Sequence, residues 1–363
     1  MTRAWVEVDL AALRRNGAAV AARSGVPLLP MVKADGYGLG ALHVALALEE
    51  LTPWGYGVAT VSEGEELRRG GITRPIIVFT PILRIEIDAM RRADLTPALG
   101  DPAVMESWAR TGRDWHLQID TGMSRAGLRW DRMSWYRDIL ASTRPTGVFT
   151  HFHSAELDDG SREVQEARFD EALAAMPERP ALVHAENGPA VEARGPSRWS
   201  LCRPGIFLYG VASRPLGPLG PLVPEPVAAI RARIVEIRTV SEGDTVSYGA
   251  TWRAPGVRRI ATVPVGYADG YRRALGNRGV ALLGGQRIHV AGRVTMDMTM
   301  LDVTDTDAAL GDVVTLLGRD GDDVITLSEL ADLGELSPYE LLTGLRTRLP
   351  HVHRDAEDAE AAA

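Results

Sequence analysis

One lysine and one tyrosine stand close together in a glycine-rich segment, "LLPMVKADGYGLG", at residues 28–40. Lys33 ends an apolar run that has the composition of a buried strand, and Tyr37 follows it by four positions. A lysine at the end of a strand most often reaches solvent and does no chemistry. A partly desolvated lysine, in contrast, keeps a free amine near neutral pH and can form a Schiff base with an aldehyde. The other polar residues of the chain decide between these two interpretations.

Polar residues also follow four later apolar runs. Arg125 comes after "WHLQID", His151 near the end of "GVFTHF", Asn187 after "ALVHAE", and Arg203 within "CRPGIFLYG". A lysine, two arginines and a histidine without a nearby pair of carboxylates are typical of a site for an anion. They are not the groups that hydrolyse glycosides or hold a hard metal ion. Cys202 is the only cysteine, which excludes a metal cluster held by thiolates alone, and we expect no metal.

The elements that would hold these residues are short apolar runs, separated from one another by turns and amphipathic stretches. Eight runs follow this pattern: 28–33, 55–60, 75–80, 95–99, 115–120, 147–152, 181–186 and 202–210. The alternation predicts parallel strands joined by helices, and eight such strands close into a (β/α)8 TIM-like barrel. An open, doubly wound sheet is the alternative that the pattern allows. In a barrel the carboxyl ends of the strands meet at one mouth, where the polar residues would converge.

After residue 214 the character of the sequence changes. Five prolines in "PLGPLGPLVPEP", residues 215–226, mark a stiff connector at which helices stop. Beyond it, short alternating runs with glycine turns predict a mostly β domain. Only one helical pattern interrupts them, near "SELADLGELSPYELLTGL".

The composition narrows the possible partners. A formal net charge of -8 argues against nucleic acid, because a phosphate-binding surface is usually basic. The first ten residues carry charges where a signal peptide has its apolar core, and no segment has 18 uninterrupted apolar residues. We therefore expect a cytoplasmic protein that does not bind membranes.

Several motifs together resemble those of the alanine racemase family, in its order and at about its spacing. They are "MVKADGYGLG", "DTGMSRAGLR", "THF", "RPGIFLYG", "VSYGATW", "VPVGYADGYRR" and "GRVTMDMTML", and the match runs from Trp5 to about Pro350. The resemblance implies a barrel followed by a β domain that the strand Trp5 to Asp9 joins. The barrel would then span residues 11–225, and residues 1–10 and 226–353 would form the β-rich domain. The acidic end, 354–363, is expected to be disordered.

The resemblance also assigns the two proton-transferring residues. By analogy, Lys33 holds pyridoxal 5'-phosphate and serves as the base on one face of the amino acid. Tyr248 would serve on the other face, contributed by the β domain of the partner in a homodimer with composite sites. A phenol has an ordinary pKa of about 10 and needs a cationic neighbourhood to act as a base. In the family, residues matching His151 and Arg203 supply that neighbourhood.

The remaining family positions would bind cofactor and substrate. An arginine at Arg203 can only donate a hydrogen bond, so it would leave the pyridine nitrogen neutral and limit charge build-up in the ring. The resemblance places Arg125 at the cofactor's phenolic oxygen and the substrate carboxylate. The phosphate would contact the Tyr37 hydroxyl and the backbone N–H groups of Gly205 and Ile206. The rest of the implied set is Asn187 on the cofactor side, and Met296, Asp297 and Tyr267 on the substrate side.

Three positions depart from the family pattern. Gln118 stands where many members have a lysine, often carbamylated, and an anion such as chloride would have to replace the missing charge beside Arg125. Gly188 stands where many members use a serine on the phosphate, which leaves only a backbone donor. Thr347 stands where some members place a phosphate-binding tyrosine.

The implied function is the interconversion of L-alanine and D-alanine, with D-alanine supplied to peptidoglycan synthesis. A racemase of another amino acid, such as serine, is the first alternative, because the sequence does not reveal the size of the pocket. A fold-related amino-acid decarboxylase is the second. That class would be expected to carry a cysteine in its substrate loop, whereas Cys202 lies in a different motif.

Overall fold

The computed structural model describes residues 2–213, 222–345 and 348–355. Most of the proline-rich connector, Thr347 and residues 356–363 of the acidic end lie outside these residues, and the predictions made for them remain predictions. The predicted disorder was wrong at Arg354, which ends a strand paired with Ala4–Asp9. The described residues form a parallel barrel and a mostly antiparallel β domain, which confirms the predicted fold class.

The barrel is built on six short parallel strands. They are Tyr56–Val58, Ile76–Val78, Thr96–Leu99, His116–Asp120, Gly147–Phe149 and Leu182–His184, and each pairs with the next in register. A short edge segment, Leu128–Arg129, pairs with the strand His116–Asp120. Nearly every residue of the six strands is buried, as expected for parallel strands covered on both faces.

Two extended segments, at residues 28–31 and 202–203, close the ring between its first and last strands. Leu28 bridges Cys202, Met31 bridges Gly57, and Asn187 bridges Arg203, all in parallel fashion. Proline explains why neither segment forms a continuous strand. Pro27, Pro30 and Pro204 have no N–H to donate to a ladder.

The eighth predicted run, 202–210, is a strand only at its start. After Gly205 the chain forms a 3-10 turn, Ile206–Tyr209, whose four side chains are all buried. The prediction of a strand over the whole run was therefore wrong. The prolyl residue before Gly205 ends the pairing, and the apolar residues beyond it fill the core from a turn instead.

The helices cover the barrel, and local capping sets their bounds. They are Leu10–Ser24, Ala41–Leu48, Val61–Arg69, Ile87–Arg92, Pro102–Ala109, Arg137–Thr143, Ser161–Ala175 and Gly188–Arg194. The first is typical: the Asp9 carboxylate accepts from the N–H of Ala12 at 2.8 Å, and Gly25 ends the helix with φ 68°. Short 3-10 turns also occur at Glu49–Leu51, Arg84–Glu86 and Trp130–Tyr136.

The β domain is one large sheet. Its strand order is Glu236–Val240, Arg258–Val263, Thr299–Asp302, Gln286–Val290, Val280–Leu283, Val313–Asp320, Ala228–Arg233, Ala4–Asp9 and His351–Arg354. Asp323–Ile325 pairs with Val313–Asp320, and Thr245–Val246 pairs with Trp252–Arg253. Three 3-10 turns, Tyr248–Ala250, Tyr267–Asp269 and Arg273–Leu275, and two helices, Leu327–Gly334 and Pro338–Thr343, complete the domain.

The β domain packs on the loop that follows Lys33. His351 Nε2 lies 2.9 Å from the carbonyl oxygen of Gly38, and His353 Nε2 lies 2.8 Å from that of Leu39. A Cβ on Gly38 would lie 2.5 Å from the carbonyl oxygen of Leu342, so only glycine allows the helix Pro338–Thr343 to approach this closely. The second domain therefore helps to hold the lysine loop at the barrel mouth.

Candidate active site

Lys33 opens a left-handed turn. The φ angles of Ala34, Asp35, Gly36 and Tyr37 are 54°, 55°, 61° and 55°. Left-handed backbone costs about 1–2 kcal/mol for each L-residue other than glycine, so other contacts must hold this turn. The N–H of Ala34 donates to the Glu63 carboxylate at 2.7 Å, and the N–H of Gly40 donates to the Asp35 carbonyl at 2.9 Å.

A cavity of about 390 Å³ lies at the carboxyl ends of the barrel strands. It brings together every residue of the barrel that the sequence assigned to the cofactor: Lys33, Tyr37, Arg125, His151, Asn187, Arg203, Gly205 and Ile206. Gln118 and Gly188, two of the departures from the family pattern, also line it. The cavity is therefore the candidate active site.

Lys33 has the properties of a nucleophilic amine. Its pKa is lowered chiefly by burial and also by the positive charge of Arg125, while Glu63 opposes the shift. Lys33 is moreover the only lysine in the sequence. An amine with a lowered pKa is more often unprotonated, which is the form that attacks an aldehyde.

Arg203 is a buried cation at the floor of the cavity. Its Nη2 donates to the carbonyl oxygens of Thr150 and Ala185 at 2.8 and 2.9 Å, and lies 3.4 Å from Nδ1 of His151. Burial lowers the pKa of Arg203 to about 10. No carboxylate bonds to it among the hydrogen bonds of the described residues, so its charge is left for a group in the cavity.

The hydrogen bonds of Arg203 fix two histidine tautomers. Nη1 of Arg203 lies 2.8 Å from Nδ1 of His184, and Nε2 of His184 lies 2.8 Å from Nδ1 of His116. Because arginine can only donate, Nδ1 of His184 accepts, and its Nε2 carries the hydrogen that it donates to His116. Burial, assisted by Arg203, lowers the pKa of His116 to about 3 and that of His184 well below its ordinary value. Both rings are therefore neutral.

His151 is neutral for the same reasons. Its pKa is lowered to about 3 by burial and by the charges of Arg203, Arg125 and Lys33. The positive charge of the site thus comes from the two arginines, and from Lys33 only while its amine is protonated. An anionic ligand with a reactive carbonyl suits this set of groups.

One end of the cavity is shaped to receive a small anion. A Cβ on Gly205 would lie 2.6 Å from the Tyr37 hydroxyl oxygen. A Cβ on Gly188 would lie 3.8 Å from Oε1 of Glu192 and 4.0 Å from the backbone nitrogen of Gly205. Two glycines thus leave open a space next to a hydroxyl and a backbone N–H, and side chains there would fill it. A phosphate group fits this end, which is here called the anion end of the cavity.

Asn187 has a local role in addition to lining the cavity. Its Oδ1 accepts from the N–H of Ala190 at 3.2 Å and caps the helix Gly188–Arg194. Its Nδ2 lies 3.5 Å from the carbonyl oxygen of Phe152. The side chain therefore positions the start of this helix at the anion end of the cavity.

Among the lining residues that sequence reasoning missed, Glu192 and Tyr339 carry titratable side chains. Glu192 lies on the helix Gly188–Arg194 and is 3% exposed. Tyr339 comes from the β domain, with its ring centroid 6.2 Å from that of Tyr37. A glutamate in a helical pattern normally faces solvent, and no sequence signal connects Tyr339 with the barrel.

Four predicted residues lie outside the cavity of their own chain. They form a surface on the β domain: Tyr248, Tyr267, Met296 and Asp297, here called the Tyr248 surface. Tyr248 is 70% exposed and Met296 is 52% exposed. The Tyr267 N–H donates to the Thr295 carbonyl at 2.9 Å, and the Ser247 hydroxyl donates to the Arg293 carbonyl at 2.6 Å. These bonds bring together the loops around residues 247–248, 267 and 293–297, which carry the Tyr248 surface.

Comparisons with known proteins agree with this arrangement. Residues 8–213 match the family model "Alanine racemase, N-terminal domain", and residues 227–353 match "Alanine racemase, C-terminal domain". The alanine racemase of Geobacter sp. strain M21 is 39% identical over 366 residues, which covers 94% of this chain and 96% of the relative.

Two solved structures share the whole fold. The crystal structure of alanine racemase from Bacillus anthracis with bound L-Ala-P superposes with a TM-score of 0.89 at 30% identity, covering 98% of this chain and 95% of the other. Alanine racemase from Bartonella henselae with covalently bound pyridoxal phosphate gives a TM-score of 0.88 at 25% identity, covering 98% and 100%.

Proposed function

Since the chain belongs to the alanine racemase family, we propose that it interconverts L-alanine and D-alanine with pyridoxal 5'-phosphate as its cofactor. The observation that supports this most strongly is the position of Lys33. The only lysine of the sequence lies in the cavity, with Arg125, Arg203 and the neutral His151, and has a lowered pKa.

The residues of the cavity fit this cofactor. Lys33 would hold its aldehyde carbon, Arg125 its phenolic oxygen, and the anion end at Tyr37, Gly205 and Ile206 its phosphate. When bound, the cofactor withdraws electrons from the amino acid and makes the proton on Cα acidic. Everything else in the reaction is binding and proton transfer by groups of the protein.

Arg203 would keep the pyridine nitrogen unprotonated. Its Nη1 and Nη2 are occupied by His184, His151 and two backbone carbonyls, and the Nε–H takes no part in these bonds. This N–H would donate to the ring nitrogen. A guanidinium has no acceptor for the N–H of a protonated pyridine, so the ring would stay unprotonated and a weaker electron acceptor, which would favour return of the proton to Cα over transamination.

Racemisation requires proton transfer on both faces of Cα. Lys33 would take or return the proton on one face. Tyr248 would serve the other face, but in its own chain it is exposed and does not line the cavity. We therefore propose a homodimer in which the Tyr248 surface of each subunit completes the cavity of the other. Met296, Asp297 and Tyr267 would contact the substrate from the same surface.

The proposed biological role is to supply D-alanine for peptidoglycan in the cytoplasm. None of the helices among the described residues is both long and apolar enough to cross a membrane. A preference for serine is the closest alternative, because an added hydroxyl changes the substrate little in size.

Purified protein reconstituted with pyridoxal phosphate tests the function. We expect visible absorbance from the lysine-bound cofactor, one cofactor fixed per chain at Lys33 after borohydride reduction, and conversion of L-alanine to D-alanine in a chiral assay. L-serine in the same assay distinguishes the two racemases. Absorbance without racemisation, or release of carbon dioxide from an amino acid, would refute the proposal.

A further inference from the structure

Glu192 is a buried carboxyl group in the wall of the cavity. It lies on the helix Gly188–Arg194 and is almost completely removed from solvent. Its Oε2 accepts from the backbone N–H of Ser213 at 3.0 Å. Its Oε1 is buried and has no hydrogen-bond partner among the residues that the structure describes. A buried polar atom without a partner is costly, so a ligand that bonds to it would be stabilised.

Oε1 lies next to the space where the phosphate would lie. It would lie 3.8 Å from a Cβ on Gly188, and the backbone nitrogen of Gly205 would lie 4.0 Å from the same point. Gly205 in turn borders the Tyr37 hydroxyl. Because residue 188 has no side chain, nothing at this position separates Oε1 from the anion end of the cavity.

Burial favours the uncharged form of Glu192. It raises the pKa of Glu192 above its ordinary value, against the opposing effects of the Ser213 N–H, the Ser213 side chain and the charge of Arg23. The Arg23 guanidinium also donates to the backbone carbonyl of Glu192 at 3.5 Å. Tyr339 and Tyr37, the other titratable groups at this end, are neutral phenols whose pKa values burial raises. A phosphate dianion would favour the neutral acid further, because like charges raise a carboxyl pKa.

We propose that Glu192 binds the cofactor phosphate as an uncharged acid, donating its carboxyl O–H to a phosphate oxygen. This proposal rests on the proposed function. In this chain the glutamate supplies, from one turn further along the helix, a side-chain donor at the end of the cavity where Gly188 has none.

The test compares pyridoxal 5'-phosphate with pyridoxal, which lacks the phosphate. Dissociation constants of both are measured for the apoprotein of the wild type, Glu192→Gln and Glu192→Leu. Glutamine keeps a hydrogen-bond donor, so we expect its preference for the phosphorylated cofactor to stay within about threefold of the wild type. Leucine has no donor, and we expect the preference to fall about tenfold or more.

Glu186→Gln is the matched control. Glu186 is also buried and has a raised pKa, but it bonds to Arg162 at 3.1 Å and does not line the cavity. Its substitution should leave the ratio of the two dissociation constants unchanged. Thermal unfolding of each apoprotein verifies that the variants are folded.

The pH dependence provides a second measurement on the wild type itself. As pH rises through the pKa of Glu192, the wild type should lose preference for the phosphorylated cofactor, because an ionised carboxylate repels phosphate. Glu192→Gln should not show this loss. Ionisation of the phosphate and the solution chemistry of both ligands are the same for the two proteins, so the difference in pH dependence between the wild type and Glu192→Gln belongs to Glu192.

Two outcomes would overturn the proposal. An unchanged ratio in Glu192→Leu, whether neither ligand or both ligands equally are weakened, means that Glu192 does not contact the phosphate. A tighter preference in Glu192→Gln or Glu192→Leu means that the glutamate is ionised and repels the phosphate. Failure of the wild type to bind pyridoxal phosphate at all would instead refute the proposed function.

Discussion

The hydroxyl oxygen of Tyr37 lies so close to the backbone of Gly205 that a Cβ on Gly205 would be 2.6 Å from it. Tyr37 has little freedom to withdraw, because its ring stacks on that of Tyr209 at 4.5 Å between centroids. Tyr209 is itself held by a hydrogen bond from its hydroxyl to the Met31 carbonyl at 2.9 Å. Two donors for a phosphate, a hydroxyl and a backbone N–H, are thereby placed side by side.

Gly205→Ala should therefore weaken binding of the phosphorylated cofactor. The added methyl group displaces the Tyr37 hydroxyl, and loss of one hydrogen bond to a charged group is expected to raise the dissociation constant about tenfold. Titration of the apoprotein with pyridoxal phosphate measures this dissociation constant. Gly256→Ala is the control, because a Cβ there meets nothing within 4 Å. Equal dissociation constants for the two variants would contradict the expectation.

Glu63 holds the left-handed turn that follows Lys33 by hydrogen bonds. Its carboxylate accepts from the N–H groups of Ala34 and Ala59 at 2.7 Å each, and from that of Thr60 at 3.2 Å. Glu63→Ala should destabilise the protein by about 1 kcal/mol, because two partly buried N–H groups lose their acceptor, and should also lower kcat by displacing Lys33. Urea unfolding and the racemase assay measure the two effects. Glu66→Ala, an exposed position on the same helix, should change neither. A loss of stability with kcat intact would show that the turn does not position Lys33.

The sequence was sufficient to predict which barrel residues share the cavity. Lys33, Arg125 and His151 follow different strands, and the rule that strand ends meet at one mouth brings them together without any knowledge of side-chain conformation. The same rule placed Asn187 and Arg203 there. What these positions have in common is that chain topology alone determines where they lie.

Other features depend on interactions that the local sequence does not encode. Ala34 and Asp35 rarely adopt left-handed backbone, and only the distant Glu63 and the β domain hold them there. Glu192 lies in an ordinary helical pattern, and its burial depends on Ser213 and the neighbouring loop. Tyr339 reaches the cavity through packing of one domain on the other. Tertiary contacts overrode local preference in each case.

Mixing two inactive variants tests whether the site is shared between subunits. Lys33→Ala and Tyr248→Phe should each lose at least about a thousandfold in kcat, because each removes one proton-transferring group. If Tyr248 acts across the interface, a mixed dimer contains one intact site, with Lys33 from one chain and Tyr248 from the other. Random exchange of subunits should then restore about a quarter of the wild-type activity.

Exchange is started by mild dissociation and followed with the chiral assay. A doubly substituted Lys33→Ala, Tyr248→Phe chain mixed with Tyr248→Phe is the control, because no chain in that mixture carries Tyr248 and no exchange can restore the missing phenol. If the Lys33→Ala and Tyr248→Phe mixture recovers no activity although mixed dimers form, Tyr248 does not serve the partner's cavity.

The buried histidines should make the fold sensitive to mild acid. The pKa of His116 is about 3 in the folded protein, chiefly because of burial, against about 6.5 in the unfolded chain. As pH falls below 6.5 the unfolded chain takes up a proton that the folded protein cannot. Stability is thus fully present above that pH and is lost as pH falls toward 3, by about 1.4 kcal/mol per pH unit for this residue.

The slope of stability against pH isolates this effect. Glu186 and Glu192 have raised pKa values and act in the opposite sense, since the folded protein takes up their protons first. They are common to the wild type and His116→Gln, so the difference in slope belongs to His116 and the neighbouring His184. When the free energy of unfolding is measured with urea between pH 7.5 and 5, its slope against pH should be shallower for His116→Gln than for the wild type. The exposed His289→Gln serves as control and should keep the wild-type slope. Parallel slopes for the wild type and His116→Gln would mean that the folded protein protonates His116 as readily as the unfolded chain does, and that the histidine next to His184 and Arg203 is not held neutral.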